Sequence, residues 1–280
     1  MLVVRAINNN VVSCVDDAGQ ELIAMGRGLG YRAAAGGVLD ESQVEKVFRM
    51  DTQRETDRLK DLLAEMPPEQ VDLCARIIAY ATETLGKRLS ESIYLTLTDH
   101  IGFAITRQQQ GMTFQNALVT EVRIFYPGEF AVGRRALEMI RAELSVELPE
   151  DEAASIALHL VNAEYDSSIS VTMRVTQALH EIVAFLKSSP GIAPDEGSLY
   201  YDECIVHLKF MALRAFTGAE QPRAEAELVK LAAFSYPKEY ACAKRITAYL
   251  AKRSLHPLEE EQAAYLAVLI RMAEHAEPKA

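Results

Sequence analysis

Between residues 2 and 25 the apolar positions come in short runs separated by turn formers. Leu2 to Ile7 is followed by Asn8-Asn9-Asn10, Val11 to Val15 by Asp16-Asp17-Ala18-Gly19, and then comes Glu21 to Met25. Branched apolar runs of this length between Asn, Asp and Gly clusters predict hairpin strands. From Arg54 the period becomes helical, and a charged stretch to Glu65 followed by Pro67-Pro68 predicts a linker helix that stops at a domain boundary. Beyond it Val71, Leu73, Cys74, Ile77, Ile78 and Ala81 form one apolar helical stripe. Val171, Val175, Ala178, Leu179, Ile182 and Leu186 form another about 100 residues later. Each stripe opens an all-helical domain.

The helical part is an internal repeat. A shift of 107 residues places Tyr94 on Tyr201, His100 on His207, Phe103 on Phe210, Arg107 on Arg214 and Gly111 on Gly218. A shift of 110 places Tyr126-Pro127 on Tyr236-Pro237, Glu129 on Glu239 and Ala153-Ala154 on Ala263-Ala264, so three residues are inserted in between. The expected division is a β module over residues 1–55, a linker helix over 56–66, and two bundles of about five helices each over 67–168 and 169–280. A β module of roughly 50 residues buries little surface by itself and is expected to complete its core as a dimer.

Composition narrows the possibilities. A chain of 280 residues with 49% hydrophobic and 25% charged positions has the profile of a folded protein of two or three domains. The net charge of −11 excludes a general nucleic-acid coat, so any contact with nucleic acid must be small and local. Cys14, Cys74, Cys204 and Cys242 form no CxxC pair and suit free thiols in the cytoplasm. No export signal or membrane span is expected, because no run of about 18 apolar residues occurs.

A lone histidine among apolar neighbours is ordinarily a packed core residue. His100 and His207 depart from that default because they hold matched places in two repeats, each with an arginine seven positions later on the same helix face. His159, in the last helix of the first repeat, is placed to meet His100 across the bundle, whereas the 110-residue shift puts Leu269 at the corresponding place. His180, His256 and His275 fall outside these matches and read as surface or capping residues. No HxH, HxxxH or HExxH spacing supports a metal, and Glu259-Glu260-Glu261 reads as the acidic first turn of a helix. No nucleophile elbow, phosphate-binding loop or dinucleotide fingerprint occurs, so neither an enzyme nor a cofactor is expected.

In the β module Asn8, Asn9, Asn10, Gly26, Arg27, Gly28 and Tyr31 are turn formers by default. The same set suits RNA, since guanidinium and aromatic planes stack on splayed bases and Asn amides bond their edges.

Ile7-Asn8-Asn9-Asn10-Val11, Met25-Gly26-Arg27-Gly28-Leu29 and Glu45-Lys46-Val47-Phe48 resemble the co-antiterminator RNA-binding domain of the BglG/LicT/SacY-type antiterminators. Leu97-Thr98-Asp99-His100-Ile101, Phe125-Tyr126-Pro127 and Ala157-Leu158-His159-Leu160-Val161-Asn162-Ala163 resemble the paired regulation domains of that family. The resemblance covers the whole chain in order. It implies a small all-β N-terminal domain, a four-stranded antiparallel sheet that dimerises, followed by two duplicated all-α helical bundles.

It also implies a function. The dimeric first domain would bind a leader-transcript RNA hairpin through Arg5, Asn8, Asn10, Gly26, Arg27, Gly28 and Tyr31, keeping an overlapping terminator from forming in a sugar-utilisation operon. A sugar-specific permease (enzyme II) of the phosphotransferase system would phosphorylate the first regulation domain at His100 and His159. The histidine phosphocarrier protein would phosphorylate the second, where only His207 of the expected pair is present. Arg5 stands where relatives often carry Lys and Tyr31 where Phe is usual, both keeping charge or stacking. Leu269 cannot accept phosphate, so activation through the second domain must use His207 alone, be weakened or be absent. The rival expectation is a phosphorylation-controlled DNA-binding activator, against which residues 1–50 show strand alternation and no helix-turn-helix pattern.

Overall fold

The computed structural model describes residues 1–112, 114–218, 226–254, 256, 258 and 260–274. Its N-terminal part is a meander of four antiparallel strands, β1 (Leu2–Ala6), β2 (Val11–Val15), β3 (Glu21–Met25) and β4 (Lys46–Phe48), paired in that order. The first three follow the hydrophobic runs, β1 ending at Ala6, one residue before the run does. A one-turn helix, α1 (Leu29–Arg32), and a 3-10 turn at Glu41–Gln43 lie between β3 and β4.

Alternation sends side chains to two faces, and both are buried. Val3, Val12, Cys14, Leu22 and Ala24 pack with Leu29 and Leu39. Val11, Ile23, Met25 and Phe48 pack instead on Leu59 and Leu63 of helix α2 (Gln53–Glu65), on Met66 that caps it, and on Val71 and Leu95 beyond it. The second face of the module is thus covered by helices of the same chain. A capping box at Thr52 and Glu55 starts α2 by satisfying two otherwise unpaired amides. Lys60 on α2 reaches back 2.8 Å to Glu21 on β3.

The chain falls into two compact units, one of residues 1–119 and 126–166, the other of residues 120–125 and 167–280. In the first unit, α3 (Pro68–Leu85), α4 (Ile93–Gln109), α6 (Pro127–Leu144) and α7 (Asp151–Glu164) enclose Leu73, Ile77, Leu97, Ile101, Ile140 and Ile156. From Thr120 on, helix α5 (Val119–Phe125) is grouped with the second unit, and the chain returns to the first at Tyr126. There α8 (Ile169–Ser188), α9 (Leu199–Thr217), α10 (Ala226–Ser235), α11 (Pro237–Arg253) and α12 (Glu260–Glu274) bury Leu179, Leu208, Ile246, Leu266 and Ile270.

The duplication is visible in the backbone. Tyr126 and Tyr236 precede the prolines that open α6 and α11 with nearly equal torsions, φ −136° and ψ 56° against φ −132° and ψ 57°. Proline at the first helical position loses no hydrogen bond and presets φ, so each Tyr-Pro starts a helix. The matched glutamates Glu129 and Glu239 are both buried, yet each finds a different cation: Lys87 at 2.5 Å in the first repeat, Arg271 at 3.3 Å in the second. Lys87 also holds Glu164 at 2.8 Å. Burial pushes the Glu164 carboxyl up to about 7. Burial pushes Glu129 up too, but its bonds to Lys87 and neighbouring donors outweigh that and hold it below the usual carboxylate value.

Candidate functional site

The Asn8–Asn10 turn and the Gly26–Tyr31 turn are stitched together by short bonds. Asn8 Oδ1 accepts from the amides of Asn10 and Val11 at 2.9 and 3.0 Å. Asn10 Oδ1 accepts from Gly28 N–H at 2.8 Å, and the amides of Gly26 and Gly30 donate to the carbonyls of Asn10 and Asn9. Gly28 sits at φ +69°, a conformation that favours glycine. Gly26 and Gly30 are demanded by crowding: a Cβ there would lie 2.1 Å from Gln43 O or 1.9 Å from Asn8 O.

Asn8, Asn10, Gly26, Arg27 and Gly28 therefore form one patch, beside which Tyr31 on α1 stands 82% exposed. Arg27 is also exposed. Arg5 lies apart on β1, where its charge helps Lys60 hold Asp57 of α2 below the usual value. The Asn8 amide nitrogen donates to Leu63 O on α2 at 2.9 Å. A cleft of about 470 Å³ runs between the patch and the start of α3, with Arg27 on one side and Glu69 and Asp72 on the other.

His100 and His159 meet as their positions in the repeat suggested. Their ring centroids are 4.8 Å apart with a 36° tilt. His100 Nε2 lies 3.0 Å from Glu152 Oε2, and Arg107, two turns further along the same face of α4, bonds the other carboxylate oxygen. Phe114 stacks on that guanidinium at 4.1 Å. Glu152 is only 1% exposed. His159 sits two turns beyond it on α7, its Nδ1 enclosed without a partner. Burial, and then the neighbouring His100, push its pKa down to about 3.

The second repeat keeps half of this. His207 stacks on Tyr265 with centroids 4.7 Å apart, and its Nε2 is enclosed without a partner. Burial, then the Arg214 charge, lower its pKa to about 4. Gln262 and Leu269, both buried, stand where the first repeat has Glu152 and His159. The sequence reading missed Glu152 and Tyr265. The signal for Glu152 was its place seven residues before His159, on the same helical face.

His180 lies at the surface 3.2 Å from Glu121, and His256 is also exposed. His275 and Glu259 lie outside the described residues, while Glu260 and Glu261 form the first turn of α12. The four cysteines are free and buried. Among the described residues no helix is long and apolar enough to cross a membrane.

Residues 1–57 match the CAT RNA binding domain family, and residues 75–163 and 181–273 each match the PRD domain family. The chain is 40% identical over 270 residues to transcription antiterminator LicT of Bacillus subtilis (strain 168), covering 96% of this chain and 98% of that one. It is 38% identical to the beta-glucoside operon antiterminator of Dickeya chrysanthemi, covering 96% and 95%. The crystal structure of GlcT CAT-PRDI aligns with a TM-score of 0.53 at 31% identity, covering 58% of this chain and 97% of that one. A β module ending in the Asn and Gly-Arg-Gly turns, two helical repeats with matched histidines, and these full-length matches place the chain in the BglG/LicT family of RNA-binding transcriptional antiterminators.

Proposed function

We propose that this chain acts as a cytoplasmic homodimer that binds an RNA hairpin in the leader of a sugar-utilisation transcript, without enzymatic activity of its own. Asn8, Asn10, Gly26, Arg27, Gly28 and Tyr31 form the reading surface, with Arg5 contributing charge from β1. Stacking of Tyr31 and Arg27 on unpaired bases suits a module that carries no net positive charge.

His100 and His159 accept phosphate from a sugar-specific permease and His207 from the histidine phosphocarrier protein. The observation that carries this is the pairing of two imidazoles 4.8 Å apart, His159 held neutral by burial. A neutral ring keeps the lone pair that attacks phosphorus. Each phosphate brings close to two negative charges to a packed helical site and so biases its arrangement.

The test uses the full chain, because the second face of its β module rests on α2 and on residues beyond it. Binding to a leader hairpin is measured against a DNA of the same sequence, before and after treatment with phosphorylated permease domain or phosphocarrier protein. Binding to RNA alone, weakened by the permease domain and abolished by Arg27→Ala, is expected. Equal binding to DNA overturns the proposal.

A further inference from the structure

We propose that Glu152 is a positioning residue that holds the proton of His100 on Nε2 and so directs an incoming phosphoryl group to Nδ1. This rests on His100 being a phosphate acceptor, as proposed above.

The geometry is specific. A carboxylate paired with a guanidinium accepts hydrogen bonds and does not donate them. The His100 nitrogen 3.0 Å from Glu152 Oε2 is therefore the N–H, so in the tautomer that carries one proton the lone pair is on Nδ1. Among the described residues nothing bonds that Nδ1, and the His100 side chain is still 16% exposed, whereas Nε2 points into a buried ion pair. Arg107 is itself held by Phe114 and Phe103, so a carboxylate that swung away would break its ion pair with a guanidinium fixed in place. A second partner that orients the far nitrogen of a reacting imidazole is a general device for setting tautomer and basicity.

The step balances simply. The Nδ1 lone pair attacks phosphorus, the Nδ1–P bond forms, and the bond from phosphorus to the donor protein breaks with its electron pair staying on the donor atom. The proton remains on Nε2, and the Glu152 charge offsets the positive ring that results. His159 differs, since its own Nδ1 is enclosed without a partner. His207 has no such help: Gln262 stands in place of the carboxylate, and His207 Nε2 has no partner.

The full-length chain and its Glu152→Gln variant are phosphorylated with phosphoramidate, whose phosphorus–nitrogen bond breaks to release ammonia. The His100 peptide is then isolated at alkaline pH and compared with Nδ1- and Nε2-phosphohistidine standards. The expected result is the Nδ1 isomer in the unsubstituted chain. In Glu152→Gln, labelling of His100 slows by at least about tenfold, loses its preference for Nδ1, and leaves the rate at His207 unchanged. The Nε2 isomer in the unsubstituted chain overturns the inference and leaves His100 an acceptor. Unchanged rate and isomer in the variant overturn it as well, and absence of phosphate on His100 overturns both readings. Should Glu152→Gln not fold, the isomer found in the unsubstituted chain decides alone.

Discussion

The imidazole of His100 faces that of His159 at 4.8 Å, while at the place of His159 in the second repeat Leu269 is a buried hydrocarbon, 7% exposed. Two copies of one bundle have thus diverged into a paired site anchored by a carboxylate and a single imidazole set against Tyr265. The helices that carry these residues, α4 and α9 and likewise α7 and α12, keep the same bounds to within one residue in the two repeats, so the difference lies in the side chains at matched positions.

Restoring the missing imidazole tests what that divergence does. Leu269→His is expected to take up a second phosphate in the second repeat, counted by intact mass after treatment with phosphorylated phosphocarrier protein. Burying the new ring costs about 1–3 kcal/mol of stability. Labelling that stays confined to His207 would show that position 269 no longer faces the donor. In the unsubstituted chain the dependence of antitermination on the phosphocarrier protein is expected to be reduced; a full requirement that survives His207→Ala contradicts this.

Acid sensitivity follows from the buried rings. His159 falls from 6.5 to about 3 and His207 to about 4, so below about pH 6.5 the unfolded chain takes up protons that the native chain refuses. The native state is favoured above that pH and loses ground as pH drops towards the native values. For His159 alone the loss at pH 5 approaches about 2 kcal/mol. His159→Leu should flatten this limb: its urea midpoint relative to the unsubstituted chain rises between pH 8 and pH 5. A constant difference across that range rules the assignment out.

Lys87 neutralises two carboxylates that are 7% and 5% exposed. Lys87→Met strands them, at a cost of about 2–3 kcal/mol given that Lys87 itself is half open to water. With the cation gone both acids hold their protons in the native state but release them on unfolding. The deficit therefore grows as pH rises, and urea midpoints at pH 8 should suffer more than at pH 5. Equal losses at the two pH values would mean that the methylenes of Lys87 matter more than its charge.

Gly30 lets two backbone turns touch. Gly30→Ala drives a Cβ to 1.9 Å from Asn8 O, against rigid backbone, and should cost about 2 kcal/mol while lowering RNA affinity through displacement of the Asn8–Asn10 turn. Gly19→Ala, at φ +77° with nothing within 4 Å, should cost about 1 kcal/mol and leave RNA affinity unchanged. Equal effects of the two on RNA titrations would separate the patch from recognition.

Local order was legible in the sequence because it is set by neighbours along the chain. The Asn8-Asn9-Asn10 and Asp16-Asp17-Ala18-Gly19 turns separate β1, β2 and β3, proline after tyrosine starts α6 and α11, and two constant offsets reveal the duplication with its matched His100 and His207. The short α1 was not legible, since four residues carry too little periodicity to stand out from a turn. Likewise nothing local shows that Val11, Ile23 and Phe48 rest on Leu59 and Leu63, because alternation tells which side a residue faces and not what covers that side. The same limit applies at the site. Helical spacing put Arg107 on the face of His100, but only the packing of α4 against α7 brought Glu152 between them. A buried carboxylate is tolerated only where donors from another element converge on it, and that convergence belongs to the tertiary structure.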